Sequence, residues 1–234
     1  LVIDGGNTHF WSEIAINIAG AKGKKLKGIL HPGTFSMLGV GVGFDTKGAG
    51  EIVVKGIDEK RETTYQIPDT REGWVESVKL LLESYFLGQA EVNFDYSKIR
   101  LAGEPIKGFG GVSRGPEPLE EVHNDIRKVL DNNAGQPITI TTIVDIMNLI
   151  GKCVVAGNVR RTAEIVFGDP HSDEYLDLKN YKVNPHRDQY GWTSNNSVFA
   201  ELGMDYTEVA KRIVDNGEPG FAWLENMRHY SRTV

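Results

Sequence analysis

One stretch limits the fold more than any other: Val155-Ala156-Gly157-Asn158-Val159-Arg160-Arg161-Thr162-Ala163-Glu164-Ile165. Ahead of it, Ile140 to Val155 is apolar and helix-like, and behind it Ala163 to Phe167 reads as a strand. A helix delivered straight into a strand belongs to mixed α/β architecture. Gly157 and Asn158 are the residue types that most readily accept a left-handed turn. Arg160 and Arg161 therefore sit on a short loop between two rigid elements, a common place for ligand contacts. Guanidinium suits phosphate and the hydrogen-bonding edge of a base. On residue pattern alone, the same pair also describes a solvated turn.

The flanking sequence supplies more helices and strands. In Ser36 to Gly50, Gly39, Gly41 and Gly43 alternate with Leu38, Val40 and Val42, as in a strand approached closely by another backbone. Its spacing fits neither a P-loop nor a dinucleotide fingerprint. Residues 51–67 alternate weakly and predict a β-hairpin around Asp58-Glu59-Lys60. Asp69 and Glu72 have capping-box spacing, Trp74, Val78, Leu81, Leu82 and Tyr85 follow at helical spacing, and Gly88 stops that helix. Ser97 to Ile106 has strand and then turn character, with Arg100 and Lys107 bracketing Gly103 and Pro105. Two cations flanking a turn can clamp a polyphosphate, although paired surface charges are the more usual reason for them.

Gly108 to Pro116 is a Gly/Ser loop containing Gly110, Gly111 and Ser113. Leu119, Val122, Ile126, Val129 and Leu130 then share one helical face, so the loop offers backbone N–H groups at a helix N-terminus, a setting that suits anions or a simple cap. His123 lies beside that face and reads as structural. Thr141 or Thr142 is expected to cap the helix leading to the arginine loop. Asn184 to Tyr190 reads as polar loop. Ser194, Asn195 and Asn196 precede a strand and can serve a polar ligand or a turn. Asp205 or Thr207 opens the last clear helix.

Bulk properties exclude several classes. A net charge of −6 argues against non-specific binding to a nucleic-acid backbone. No apolar run approaches the roughly 20 residues of a membrane span. Cys153 is the only cysteine, so no internal disulfide or cysteine-based metal site forms, and its apolar neighbours mark it as a buried, inert thiol. The lack of disulfides fits a cytoplasmic location.

Seven blocks, SMLGVGVGFDTKGAG, REGWVESVKLLLESY, FDYSKIR, AGEPIKGFGGVSRGPEPL, GKCVVAGNVRRTAEI, WTSNNSV and NGEPGF, come in one order. That order resembles the central part of the monomeric, adenosylcobalamin-dependent (class II) ribonucleoside-triphosphate reductases over residues 36–232. Residues 1–35 do not resemble the family and are left unassigned. The resemblance implies a partial ten-stranded α/β barrel over 36–234, with 51–96 as an inserted helix-hairpin element at the effector site.

The chemistry implied is thiyl-radical reduction of ribonucleoside triphosphates to 2′-deoxyribonucleoside triphosphates, started by adenosylcobalamin and sustained by a thioredoxin-type reductant. That chemistry needs three cysteines at the site, and this chain has one. The family's Asn-Pro-Cys-Gly-Glu motif would follow Val234, so the chain is expected to be a fragment that carries recognition without the catalytic cysteines. By resemblance, Asn158, Arg160 and Arg161 lie between the base of a deoxynucleoside triphosphate effector and the substrate base. Arg100 and Lys107 match positions near the effector phosphates. Gly110, Gly111, Ser113, Ser194, Asn195 and Asn196 would line the substrate side. No catalytic residue and no metal ligand is expected here, nor any membrane or direct nucleic-acid partner.

Overall fold

The computed structural model of the protein describes residues 41–106, 111–156 and 163–230. In chain order the elements are β1 (Val42–Asp45), β2 (Asp58–Gln66), α1 (Arg71–Leu87), β3 (Ala90–Asp95), α2 (Glu117–Asn132), α3 (Ile140–Ala156), β4 (Glu164–Gly168), α4 (Asp173–Leu176), β5 (Ser194–Ala200), α5 (Thr207–Asn216), β6 (Gly220–Trp223) and α6 (Leu224–Tyr230). Short 3-10 turns at Pro185–Gln189 and Gly191–Thr193 lead into β5. The unassigned residues 1–35 lie outside the described residues.

Two sheets form. β1, β4, β5 and β6 make a wholly parallel four-stranded sheet in the order β1-β4-β5-β6. This is the mixed α/β class expected, and it supplies four parallel strands of a barrel that is not closed among the described residues. β2 and β3 form a separate parallel pair joined through α1.

That pair replaces the hairpin expected in residues 51–67. The Asp58 carboxylate accepts from Lys60 N at 3.1 Å and from Arg61 Nε at 2.7 Å, and the register with β3 jumps between Asp58 and Glu62. The Asp-Glu-Lys signal is therefore a bulge within one strand, and the chain does not reverse there.

Local capping chemistry also departs from the sequence reading. Thr70 caps α1, with its hydroxyl accepting from Gly73 N at 3.0 Å, which leaves Asp69 for Arg100. Gly88 ends α1 in the left-handed region, as expected, at φ 67°. Thr139 caps α3 through Thr142 N at 3.0 Å, in place of Thr141 or Thr142. Ser97 to Ile106 forms no strand. Only an isolated antiparallel bridge, Pro105 to Val112, appears, since Pro105 offers no N–H to a ladder. One further helix, α6, follows the one expected to be last.

α3 organises the packing. Ile143, Val144, Ile146, Met147, Leu149 and Ile150 are all buried, so the helix is enclosed on nearly every side. Leu119, Val122, Ile126 and Leu130 of α2 pack in the same core. Each fully buried aliphatic side chain of this kind contributes about 1.5–3 kcal/mol.

Candidate nucleotide-recognition site

α3 and β4 hold the two roots of the arginine loop. Asn158, Arg160 and Arg161 themselves lie outside the described residues, as do Lys107 and Gly110. The exit root is fixed by the sheet: Val42 N donates to Ala163 O at 2.9 Å, and Glu164 lies opposite Val42 on one side and Ser194 on the other. β4 therefore begins beside the first residues of β5, which include three of the expected site residues.

Those three divide between two faces. Ser194 and Asn196 are buried and bonded to each other, Oγ to Oδ1 at 3.1 Å. Asn196 N also donates to Glu218 at 2.9 Å. Asn195 is exposed and points to the opposite face, which it shares with the stacked rings of Phe167 and Phe199, 5.5 Å apart. Lys47 sits over the Phe199 ring at 5.0 Å. Asn195 is thus the one of the three whose side chain is exposed.

A second group assembles around the Gly/Ser loop. Gly103 N donates to Ser113 O at 2.9 Å, Ser113 N to Glu104 O at 2.8 Å and Ile106 N to Gly111 O at 3.0 Å, so two short arms run antiparallel. Gly111 adopts φ 84°, a conformation that favours glycine. Ser113 Oγ accepts from Gly115 N at 2.9 Å, and no side chain caps the N-terminus of α2. Arg100 braces these arms: its Nε donates to Asp69 at 2.7 Å and its Nη1 to Pro105 O at 3.0 Å. The guanidinium is thereby held at the Pro105 end of one arm.

Several polar contacts escaped the sequence reading. In the segment expected to be polar loop, Arg187 is fully buried and its Nε donates to Asp145 of α3 at 2.6 Å. Burial raises the Asp145 carboxyl above its usual range although the guanidinium opposes this. One turn on, Asn148 Nδ2 donates to Glu164 Oε2 at 3.0 Å. Lys179 donates to Ser194 O at 2.6 Å and pairs with Glu218 at 3.4 Å. The available signal was polar spacing on an apolar helix: Thr142, Asp145 and Asn148 recur every third residue of α3. His123 is structural, as expected. Its ring bonds Ser77 Oγ at 2.9 Å and Tyr96 OH at 2.8 Å, and burial, aided by the Arg127 charge, pushes its pKa down to about 3. Cys153 is buried, and its thiol is pushed up to about 12.

Comparison with known proteins adds decisive observations. Residues 47–130 match the family described as B12-dependent ribonucleotide reductase, insertion domain. A Dictyostelium discoideum protein named probable adenosylcobalamin-dependent ribonucleoside-triphosphate reductase is 59% identical over 215 residues, covering 85% of this chain. The chain belongs to the B12-dependent ribonucleotide reductase family. The corresponding Euglena gracilis reductase is 59% identical over 84% of the chain, and the Lactobacillus leichmannii reductase 41% over 73%. A solved class II ribonucleotide reductase superposes with a TM-score of 0.72 at 31% identity, over 83% of this chain and 32% of that one. The chain spans 28% and 27% of the lengths of the Dictyostelium and Euglena reductases. Among the described residues, no helix is long and apolar enough to cross a membrane.

Proposed function

We propose that this chain is the nucleotide-recognition part of an adenosylcobalamin-dependent reductase acting on ribonucleoside triphosphates in the cytoplasm. The observation that carries the proposal is the placing of the 157–162 loop roots beside Ser194 and Asn195. Asn158, Arg160 and Arg161 then read the base of a bound deoxynucleoside triphosphate and pass its identity to the substrate pocket. Arg100 and Lys107 hold effector phosphates, with residues 51–96 as the inserted effector-site element. Gly110, Gly111, Ser113, Ser194, Asn195 and Asn196 belong to the substrate side, where Ser194 and Asn196 shape the strand and Asn195 makes the contact.

Binding, not bond-breaking, is the task of these residues. Cys153 is the single thiol, and a thiol buried in an apolar helix packing is a poor radical carrier or reductant for a substrate. The cysteines of the reaction and the contact with a thioredoxin-type reductant are assigned to the complete enzyme. The recess that Pro118, Val122, Leu149 and Cys153 help to form between α2 and α3 is shallow and open to solvent, about 200 Å³ with its open mouth included, much too small for a corrin ring. The described residues do not fit the cofactor there, and its radical chemistry belongs elsewhere in the enzyme.

Titration of the chain with each of the deoxynucleoside triphosphates tests the proposal. A ligand that binds only the folded state adds about 2.7 kcal/mol at a hundredfold excess over Kd, so a saturable rise in melting temperature is expected. A melting temperature unmoved by all of them contradicts it.

A further inference from the structure

Asn148 and Glu164 join the helix before the arginine loop to the strand after it. One hydrogen bond is made, from Asn148 Nδ2 to Glu164 Oε2 at 3.0 Å. The remaining atoms, Asn148 Oδ1 and Glu164 Oε1, are both buried without a partner among the described residues. With Glu164 ionised, both are acceptors, and two unsatisfied buried acceptors are costly. A proton on Glu164 eases the conflict, because one carboxyl oxygen then becomes a donor while the other still accepts from the amide nitrogen. The carboxyl is also closely seated: a Cβ at Gly151 would lie 2.6 Å from Glu164 Oε1, so the helix is bare where the acid rests.

We propose that Glu164 is a neutral acid which, with Asn148, acts as a positioning clasp across the base of the 157–162 loop, so that the setting of the arginine loop depends on one proton. The clasp rests on the nucleotide-reading role given to that loop above. Among the described residues, the charged groups on the neighbouring elements are already engaged. Asp145 pairs with Arg187 at 2.6 Å, Lys152 with Glu121 at 2.6 Å and Lys179 with Glu218 at 3.4 Å. Asp45 stands at the far end of β1, opposite Phe167. None of them supplies the missing donor to Glu164 Oε1. Burial pushes the Glu164 pKa up to about 8, with the Asn148 bond opposing the rise.

A carboxyl whose folded pKa is raised favours the folded state most at low pH, and that preference is lost as pH climbs from its unfolded value through its folded one. The clasp is therefore closed at neutral pH and opens as pH passes about 8. Glu164→Gln reproduces the neutral acid, since its amide both donates to and accepts from Asn148, and it cannot ionise.

Infrared difference spectra of the full chain against Glu164→Gln test the proton directly. A carboxylic-acid carbonyl band at neutral pH, converting to carboxylate at alkaline pH, is expected, and a carboxylate band at neutral pH overturns the proposal. Hydrogen exchange at the Val42 amide, which bonds Ala163 O at the loop root, tests the positioning. After correction for intrinsic rates, exchange is expected to accelerate about tenfold across the alkaline transition in the natural chain and to stay flat in Glu164→Gln. The same profile in both overturns the clasp. If both readouts behave as expected while no deoxynucleoside triphosphate binds, the clasp stands and the nucleotide reading of the loop fails alone.

Discussion

Replacing Arg187 with Met is expected to destabilise the chain by about 3–5 kcal/mol, because it strands a buried carboxylate. Arg187 is 0% exposed and Asp145 5%, and the pair is a close one at 2.6 Å. Arg187 Nη1 also donates to Leu178 O, so the substitution orphans a carbonyl as well. The loss should depend on pH in a definite sense. Without the guanidinium, the Asp145 carboxyl rises further above its usual range, so the variant recovers stability as the acid is protonated and loses it as pH climbs. Chemical denaturation at mildly acidic and mildly alkaline pH should therefore show a smaller deficit in acid. Adding Asp145→Leu to Arg187→Met should restore all but about 1–2 kcal/mol, since a buried pair is often matched by apolar residues of similar volume. A double variant no better than the single one would show that the arginine acts through packing alone.

Gly168→Ala should also be severe, at or above the upper end of the about 1–3 kcal/mol usual for overpacking. A Cβ there would fall 2.3 Å from the Tyr175 ring, far inside contact distance. Tyr175 cannot yield, because it is buried and its hydroxyl holds two strands. It lies 2.8 Å from Val166 O and 2.7 Å from Ser197 O, and accepts from Ser197 N at 3.1 Å. Since Gly168 pairs with Val198, the strain falls on the β4–β5 seam that carries the proposed site. Urea unfolding of Gly168→Ala, and of Gly168→Ala with Tyr175→Leu, checks this: the second change should recover part of the loss if the ring is the obstacle, and none if it is not.

Long periodic segments were legible in the sequence. The stripes beginning at Trp74, Leu119 and Val144 became α1, α2 and α3, and the strand after the arginine loop formed as the pattern implied, while the strand expected after Asn196 begins already at Ser194. Failures came where one residue type has two uses. Asp58-Glu59-Lys60 resembles a turn, and only the parallel partner β3, brought back by α1, turns it into a bulge. Asp69 has capping-box spacing but serves Arg100, which lies 31 residues on. Arg187 sits in a run that looks solvated, and its burial depends on Asp145, 42 residues away. Sequence-local rules do not carry that information. Around the arginine loop, the helix before it and the strand after it were readable from their apolar runs, whereas the inward turn of Ser194 and Asn196 followed only from the register of β5 against β4.

The central claim is that the loop between α3 and β4 transmits nucleotide identity. It is tested most directly by measuring substrate choice in the complete reductase carrying Arg160→Ala and, separately, Arg161→Ala, with each deoxynucleoside triphosphate as effector. Each substitution is expected to reduce effector-dependent discrimination between ribonucleoside triphosphates by about tenfold, the size of an ordinary coupling energy, while maximal turnover with the best substrate changes much less. Effector control that survives both substitutions intact would contradict the account.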